Sequence, residues 1–190
     1  MLLKKHPYWK TVVIIWVIIS SFYSASCQST KSDSDPKEQK SKAELFSNKS
    51  GSLIQKQFID IGSLRGCQIK VVQLTDLIGG ETTKAVRFEY IYPGAYSSDT
   101  KIGILDIDEV DALIKSLNIL KDKVIPTTPE LYTEIAYKSR GGFQAGCFIS
   151  RKQWSSFLKL EQFDDKSYVF MKDGDIIQLL SLLNDAKAKF

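Results

Sequence analysis

Two stretches of helical periodicity, one in each half of the chain, constrain its fold more than any other feature. Val110, Leu113, Ile114, Leu117 and Leu120 recur at i, i+3, i+4, i+7 and i+10. That spacing lines one stripe of an α-helix with apolar side chains while Asp111, Lys115 and Asn118 face away. Ile176, Leu179, Leu180 and Leu183 repeat the pattern, with Ile177 and Leu182 widening the stripe. The two stripes superpose at a shift of 66 residues, Val110 on Ile176 through to Asn118 on Asn184. Each follows a short apolar run, Ile102–Leu105 and Tyr168–Met171. An apolar helix face must be buried against another layer, so matching stripes after matching runs point to one strands-then-helix unit used twice.

The segments between fit strands better than helices. Gln68–Leu74 and Lys84–Tyr92 read as strands, the second with Val86, Phe88, Tyr90 and Tyr92 alternating with Arg87 and Glu89, so one face is buried and one is wet. Gly79-Gly80 between them supplies the backbone freedom of a hairpin turn. In the second half Leu131–Lys138, Phe143–Ser150 and Trp154–Leu160 are strand candidates, with Gly141-Gly142 as a second hairpin signal. Pro126 and Pro129 stop any continuous helix in Lys121–Glu130, which reads as a connector. The expected fold is therefore α+β: antiparallel strands covered by two helices, in a domain spanning 51–190 with halves at 51–122 and 130–190. A chain of this size buries enough surface to fold without help from a metal.

Composition places the chain among ordinary globular proteins, with 43% hydrophobic and 25% charged residues. The net charge of +4 is unevenly placed. Residues 1–27 carry three lysines and no acid, whereas 51–190 carry 18 basic and 18 acidic residues. The domain is neutral and has no surplus of Lys and Arg with which to displace counterions, so nucleic acid is not an expected partner. Repeated strands-then-helix units do resemble, at fold level, the whirly and Pur-type single-strand nucleic-acid binders. Fold likeness alone carries no function.

The N-terminus reads as an address. Lys4, Lys5, His6 and Lys10 precede an apolar run from Thr11 to Ile19, and small residues Ser20, Ser21, Ser24, Ala25 and Ser26 follow. This is the order of a secretory signal, and its apolar core is short of the roughly 20 residues that span a bilayer. Ser24-Ala25-Ser26-Cys27 resembles the lipobox of bacterial lipoproteins, with Ser24 where an aliphatic residue is commonest. The resemblance implies a signal peptide at 1–26, lipidation of Cys27, and a domain held by a lipid at a membrane of the bacterial cell envelope, periplasmic or surface-exposed. Residues 28–50 are rich in serine and lysine, with only Ala43, Leu45 and Phe46 apolar. Such a segment cannot bury enough surface to fold, so 27–50 is expected to be the lipidated cysteine and a disordered tether.

Several residues are candidates for chemistry. Asp106, Asp108 and Asp111 lie within six residues that also hold Glu109. Clustered acidic oxygens suit calcium or a carboxylate pair for glycoside hydrolysis, and equally suit the N-terminus of a helix, where they cap backbone N–H groups. Asp173-Gly174-Asp175 stands in the same place before the second helix. Cys67 and Cys147 are a candidate disulfide, worth roughly 4 kcal/mol in an oxidising compartment through the long loop it would close. Tyr92, Tyr96, Arg140 and Phe143 are candidate partner contacts, aromatic or cationic groups near predicted turns.

What is missing narrows the field further. The single histidine is His6, inside the segment read as a signal, so imidazole catalysis and ligation are not expected of the domain. No Cys-x-x-Cys pair and no phosphate-binding glycine loop is present. The reading is an exported, lipid-anchored, non-catalytic domain that binds a protein or another envelope component, with no cofactor. The alternative is a carboxylate-dependent hydrolase or sugar-binding enzyme of the envelope, acting through the acidic cluster. Intact mass of the protein from its host's membrane fraction tests the address. The expected mass is that of Cys27–Phe190 plus acyl chains, and an unacylated chain would remove the anchor.

Overall fold

A computed structural model describes residues 39–94, 96–172 and 174–190. The segment read as a signal peptide, Cys27 and the first part of the segment read as a tether lie outside the described residues, as do Ala95 and Asp173. The elements in order are α1 (Lys42–Ser47), β1 (Ile54–Leu64), β2 (Cys67–Asp76), β3 (Thr82–Pro93), β4 (Ser98–Asp106), α2 (Ile107–Ile119), β5 (Glu134–Lys138), β6 (Gln144–Ser150), β7 (Gln153–Lys159), β8 (Tyr168–Met171) and α3 (Asp175–Lys187). A π-helical turn, Leu120–Val124, continues α2 up to Pro126, and a 3-10 turn, Asp165–Ser167, precedes β8. The strands form two antiparallel sheets in sequence order, β1-β2-β3-β4 and β5-β6-β7-β8. The fold is thus α+β, with one 13-residue helix after each sheet.

Both sheets and both long helices contribute to one core. Ile69, Val71, Val86, Phe88 and Leu105 from the first sheet meet Ala145, Cys147, Leu158 and Val169 from the second, with Val110, Leu113 and Leu117 of α2 and Ile176, Leu179 and Leu183 of α3. Phe88 of β3 and Phe143, just ahead of β6, stack across the sheets with ring centroids 4.5 Å apart. Gly103 of β4, the register partner of Phe88, makes room for this stack. A Cβ there would lie 2.9 Å from Phe143 and 3.3 Å from a backbone carbonyl oxygen.

Two elements escape the sequence reading. β1 has exposed residues on both faces along Gln55–Asp60, so its apolar residues do not alternate and no periodicity marks it. Its pairing with β2 shifts register between Asp60 and Gly62, a bulge that ends the regular run. The second is α1, and it corrects the expectation that 27–50 is disordered throughout. Ser41 and Glu44 form a capping box at its start, Ser41 Oγ accepting from Glu44 N and Glu44 Oε2 from Ser41 N. Ala43 and Phe46 then pack on Val72, Leu74 and Ala85. The few apolar residues of a polar segment were enough because the sheet offered a ready apolar surface.

The hairpin turns show where backbone strain resides. Arg65-Gly66 closes β1–β2 with positive φ at both residues, which suits glycine at the second position. Arg151-Lys152 closes β6–β7 with φ of 52° and 64° and no glycine at all. Left-handed conformation costs an L-residue roughly 1 kcal/mol or more. Replacing Arg151-Lys152 by Asn-Gly is therefore expected to stabilise the protein by about 1–2 kcal/mol, read as a rise in midpoint on denaturant unfolding.

Candidate functional site

The acidic cluster was the first candidate, and the structure shows each carboxylate already engaged. Asp106 closes β4 and, as expected, opens α2 in a capping box with Glu109, and its carboxylate serves a second helix as well. Its oxygens accept from Lys42 N at 2.8 Å and Ala43 N at 3.0 Å, the free N–H groups at the start of α1. Arg140, from the β5–β6 turn, donates to Asp106 at 2.8 Å and to both oxygens of Asp108 at 2.6 and 3.1 Å. Lys42 Nζ also reaches Asp108, at 2.9 Å. Glu109 accepts from Asp106 N and from Arg140 N. The guanidinium, helped by Lys42, pulls the Asp108 carboxyl down to about 2. Asp111 points elsewhere, to Lys187 of α3 at 2.5 Å.

The metal candidate is corrected by this geometry. Asp106, Asp108 and Asp111 do not converge, and among the described residues no group of three His, Cys, Asp or Glu could hold an ion. Cations from three other elements have taken the oxygens a metal would need. The Asp108 carboxyl, held low by Arg140 and Lys42, is ill suited to the role of general acid.

The other candidates separate. Cys67 and Cys147 are free, buried thiols, so the candidate disulfide is not formed. They belong to different sheets, at the start of β2 and the middle of β6, a partition invisible to an estimate based on loop length. Burial pushes the Cys67 thiol up to about 12 and the Cys147 thiol up to about 11. Of the candidate partner contacts, Phe143 is fully buried in the inter-sheet stack, and Arg140 is the cation of the acidic cluster. Both are structural. Tyr92 is half-buried with the Lys166 ammonium 5.9 Å from its ring centre. Tyr96 is fully exposed in the β3–β4 turn. The four do not form one surface, because Arg140 meets Asp106 at one end of β4 and the tyrosines flank the other.

A concave site appears instead on the face of the first sheet that α1 partly covers. It is a cleft of about 560 Å³. Its floor combines apolar side chains, Phe58 of β1, Val72 and Leu74 of β2, and Ile102 and Ile104 of β4, with the cations Lys56 of β1 and Arg87 of β3. α1 closes one side with Glu44, and the loop after β7, Glu161–Asp164, forms another wall in which Phe163 is 72% exposed. Glu161 Oε1 accepts from Ile102 N at 3.1 Å, which fastens that loop to the edge of β4. Arg87 crosses the floor, its guanidinium 5.7 Å from the Phe58 ring centre and bonded to Glu89 at 3.0 Å.

The charges around the cleft are mixed and mostly matched. Asp164 sits against the buried Lys101, whose ammonium also meets Asp99 and Glu161. This contact holds the Asp164 carboxyl below its usual range and the Lys101 ammonium above its own. Gln39, Asn48 and Gln162 add amide donors and acceptors to the rim. The site can therefore hold a ligand that is partly apolar and hydrogen-bonding, and it offers no pair of free acid and base groups.

No family model, curated protein or solved structure matches the chain. The site rests on its own geometry. Sequence reasoning recognised Arg87 and Glu89 as the wet side of β3 but found no cleft, because β1, α1 and the Glu161–Asp164 wall were not placed beside them. The signal that was available is the capping box Ser41-x-x-Glu44 ahead of Leu45 and Phe46.

The thiols give a direct check. In the native protein neither Cys67 nor Cys147 is expected to react with a thiol reagent, and both are expected to react in denaturant without prior reduction. Reaction only after reduction would restore the disulfide.

Proposed function

We propose that the chain is an exported bacterial lipoprotein, anchored through Cys27, whose domain binds a protein or another envelope component without catalysis. The cleft over the first sheet is the proposed binding site. The observation that carries this reading is a floor of apolar side chains interrupted by Lys56 and Arg87, rimmed by amides and by carboxylates already engaged as hydrogen-bond acceptors. Glu44 accepts from Ser41 N, Glu161 from Ile102 N and Asp164 from Lys166 N. Such a rim can recognise a ligand without being free to move protons. Among the described residues no helix is long and apolar enough to cross a membrane; the proposed lipid attachment rests on the lipobox resemblance of Ser24-Ala25-Ser26-Cys27.

The same reading treats the two halves as one unit of four strands and a helix used twice, with α2 and α3 covering the sheets. The burial of the helices supports it: Val110, Leu113, Leu117 and Leu120 correspond at the 66-residue shift to Ile176, Leu179, Leu183 and Ala186, all buried.

A photoreactive phenylalanine analogue at Phe163 tests the site. In membranes of the native host it is expected to label a bound component, and Ile102→Trp, which fills the cleft floor, is expected to remove most of that label. A label indifferent to Ile102→Trp would place binding elsewhere. The hydrolase alternative separates on stability. Asp106→Asn is expected to cost about 2–3 kcal/mol, and Asp108→Asn about 1 kcal/mol or less, as measured by denaturant unfolding. Hydrolysis of an envelope glycan abolished by Asp108→Asn would reverse the reading.

A further inference from the structure

We infer that β1 pairs with β1 of a second copy of this chain, antiparallel and centred on Phe58, joining two first sheets into one. β1 is the edge of its sheet, and among the described residues no strand pairs along its outer side. The strand is long and open: Phe58 is 49% and Ile59 37% exposed. An unprotected edge of this kind is a template for another strand.

Its charges select the partner. Charged residues on an edge strand ordinarily guard against pairing. Here Lys56 and Asp60 have opposite sign and stand symmetrically about Phe58. In an antiparallel pair centred on Phe58, Lys56 faces Asp60 of the second copy, Gln57 faces Ile59, and Phe58 faces its own counterpart. Both charge pairs are attractive, and an aromatic pair lies between them. Moving the centre to Gln57 or Ile59 leaves each charge opposite an uncharged residue, and a parallel pair in register would set lysine against lysine. The strand is complementary to itself in one register.

The surroundings leave these groups available. Among the described residues Lys56 forms no salt bridge, and Asp60, its side chain 81% exposed, has only Lys70 at 3.6 Å. The register with β2 sets Lys56 beside Leu74, Phe58 beside Val72 and Asp60 beside Lys70. The three side chains therefore share the cleft face of the sheet. The bulge after Asp60 limits pairing to the run before it. So short a contact is small beside a standard protein interface, and confinement on a membrane would raise its occupancy.

The test uses full-length chains carrying two different tags, co-expressed and captured by one tag. Wild-type copies are expected to co-purify. Lys56→Asp sets aspartate against aspartate and Asp60→Lys sets lysine against lysine, so each variant is expected to self-associate about tenfold less. A Lys56→Asp chain co-expressed with an Asp60→Lys chain restores both attractions and is expected to co-purify like wild type. The variants are surface changes, and unchanged thermal midpoints show that they fold. Phe58→Cys is expected to form an inter-chain disulfide that Ile78→Cys, at the exposed β2–β3 turn, does not. Wild-type copies that fail to associate, single variants that associate as wild type, a mixed pair that does not recover, or equal cross-linking at both cysteines would each overturn the inference.

Discussion

The carboxylate of Asp106 is 3% exposed as a residue and is shared by four parts of the chain. It ends β4, begins α2, accepts the first free N–H groups of α1 and binds Arg140 from the β5–β6 turn. Each of these groups would otherwise be a polar atom short of a partner, and the cost of leaving one unpaired exceeds the modest gain of pairing it. The node thus matters chiefly as a constraint: one arrangement satisfies all four, and displacing any of them orphans the others. The satisfaction is not complete, because Ser139 Oγ and Arg140 Nε are buried without a partner among the described residues.

A second constraint is steric. The Phe88–Phe143 stack couples the sheets only because Gly103 presents no Cβ. Arg140 and Phe143 are separated by two glycines. The chain therefore turns sharply enough to send the guanidinium toward Asp106 and the ring into the core. One short turn fastens the second sheet to the first by an ionic contact and by an aromatic one.

The parts of the fold that could be read beforehand are those in which burial has a period. α2 and α3 were legible from their stripes, and β3 from strict alternation of Val86, Phe88 and Tyr90 with charged residues. β1 was not, because an edge strand exposed on both faces imposes no alternation, and α1 was not, because much of its stability comes from Val72, Leu74, Ala85 and Asp106, well removed along the chain. The same limit governed the site. Arg140 and Phe143 look like surface groups beside a turn, and only the positions of Asp106 and Gly103 in space turn them inward. The acids at 106–111 cap the helix they precede, as their position predicts, and what the sequence does not show is that Asp106 caps α1 as well.

The route by which the chain enters the domain has a mechanical consequence. Were the chain anchored through Cys27 as proposed, a pull on the domain would pass through the segment that leads into α1. That helix has six residues, and its start is held by Asp106 and its neighbours. Under that anchoring it would be the first described element to carry load, and it would peel away while both sheets stay paired. Release would free the chain as far as β1, lengthening the leash and uncovering the apolar surface of Val72, Leu74 and Ala85 beside the cleft. Tension at the membrane and access to the sheet would then be linked through one buried carboxylate.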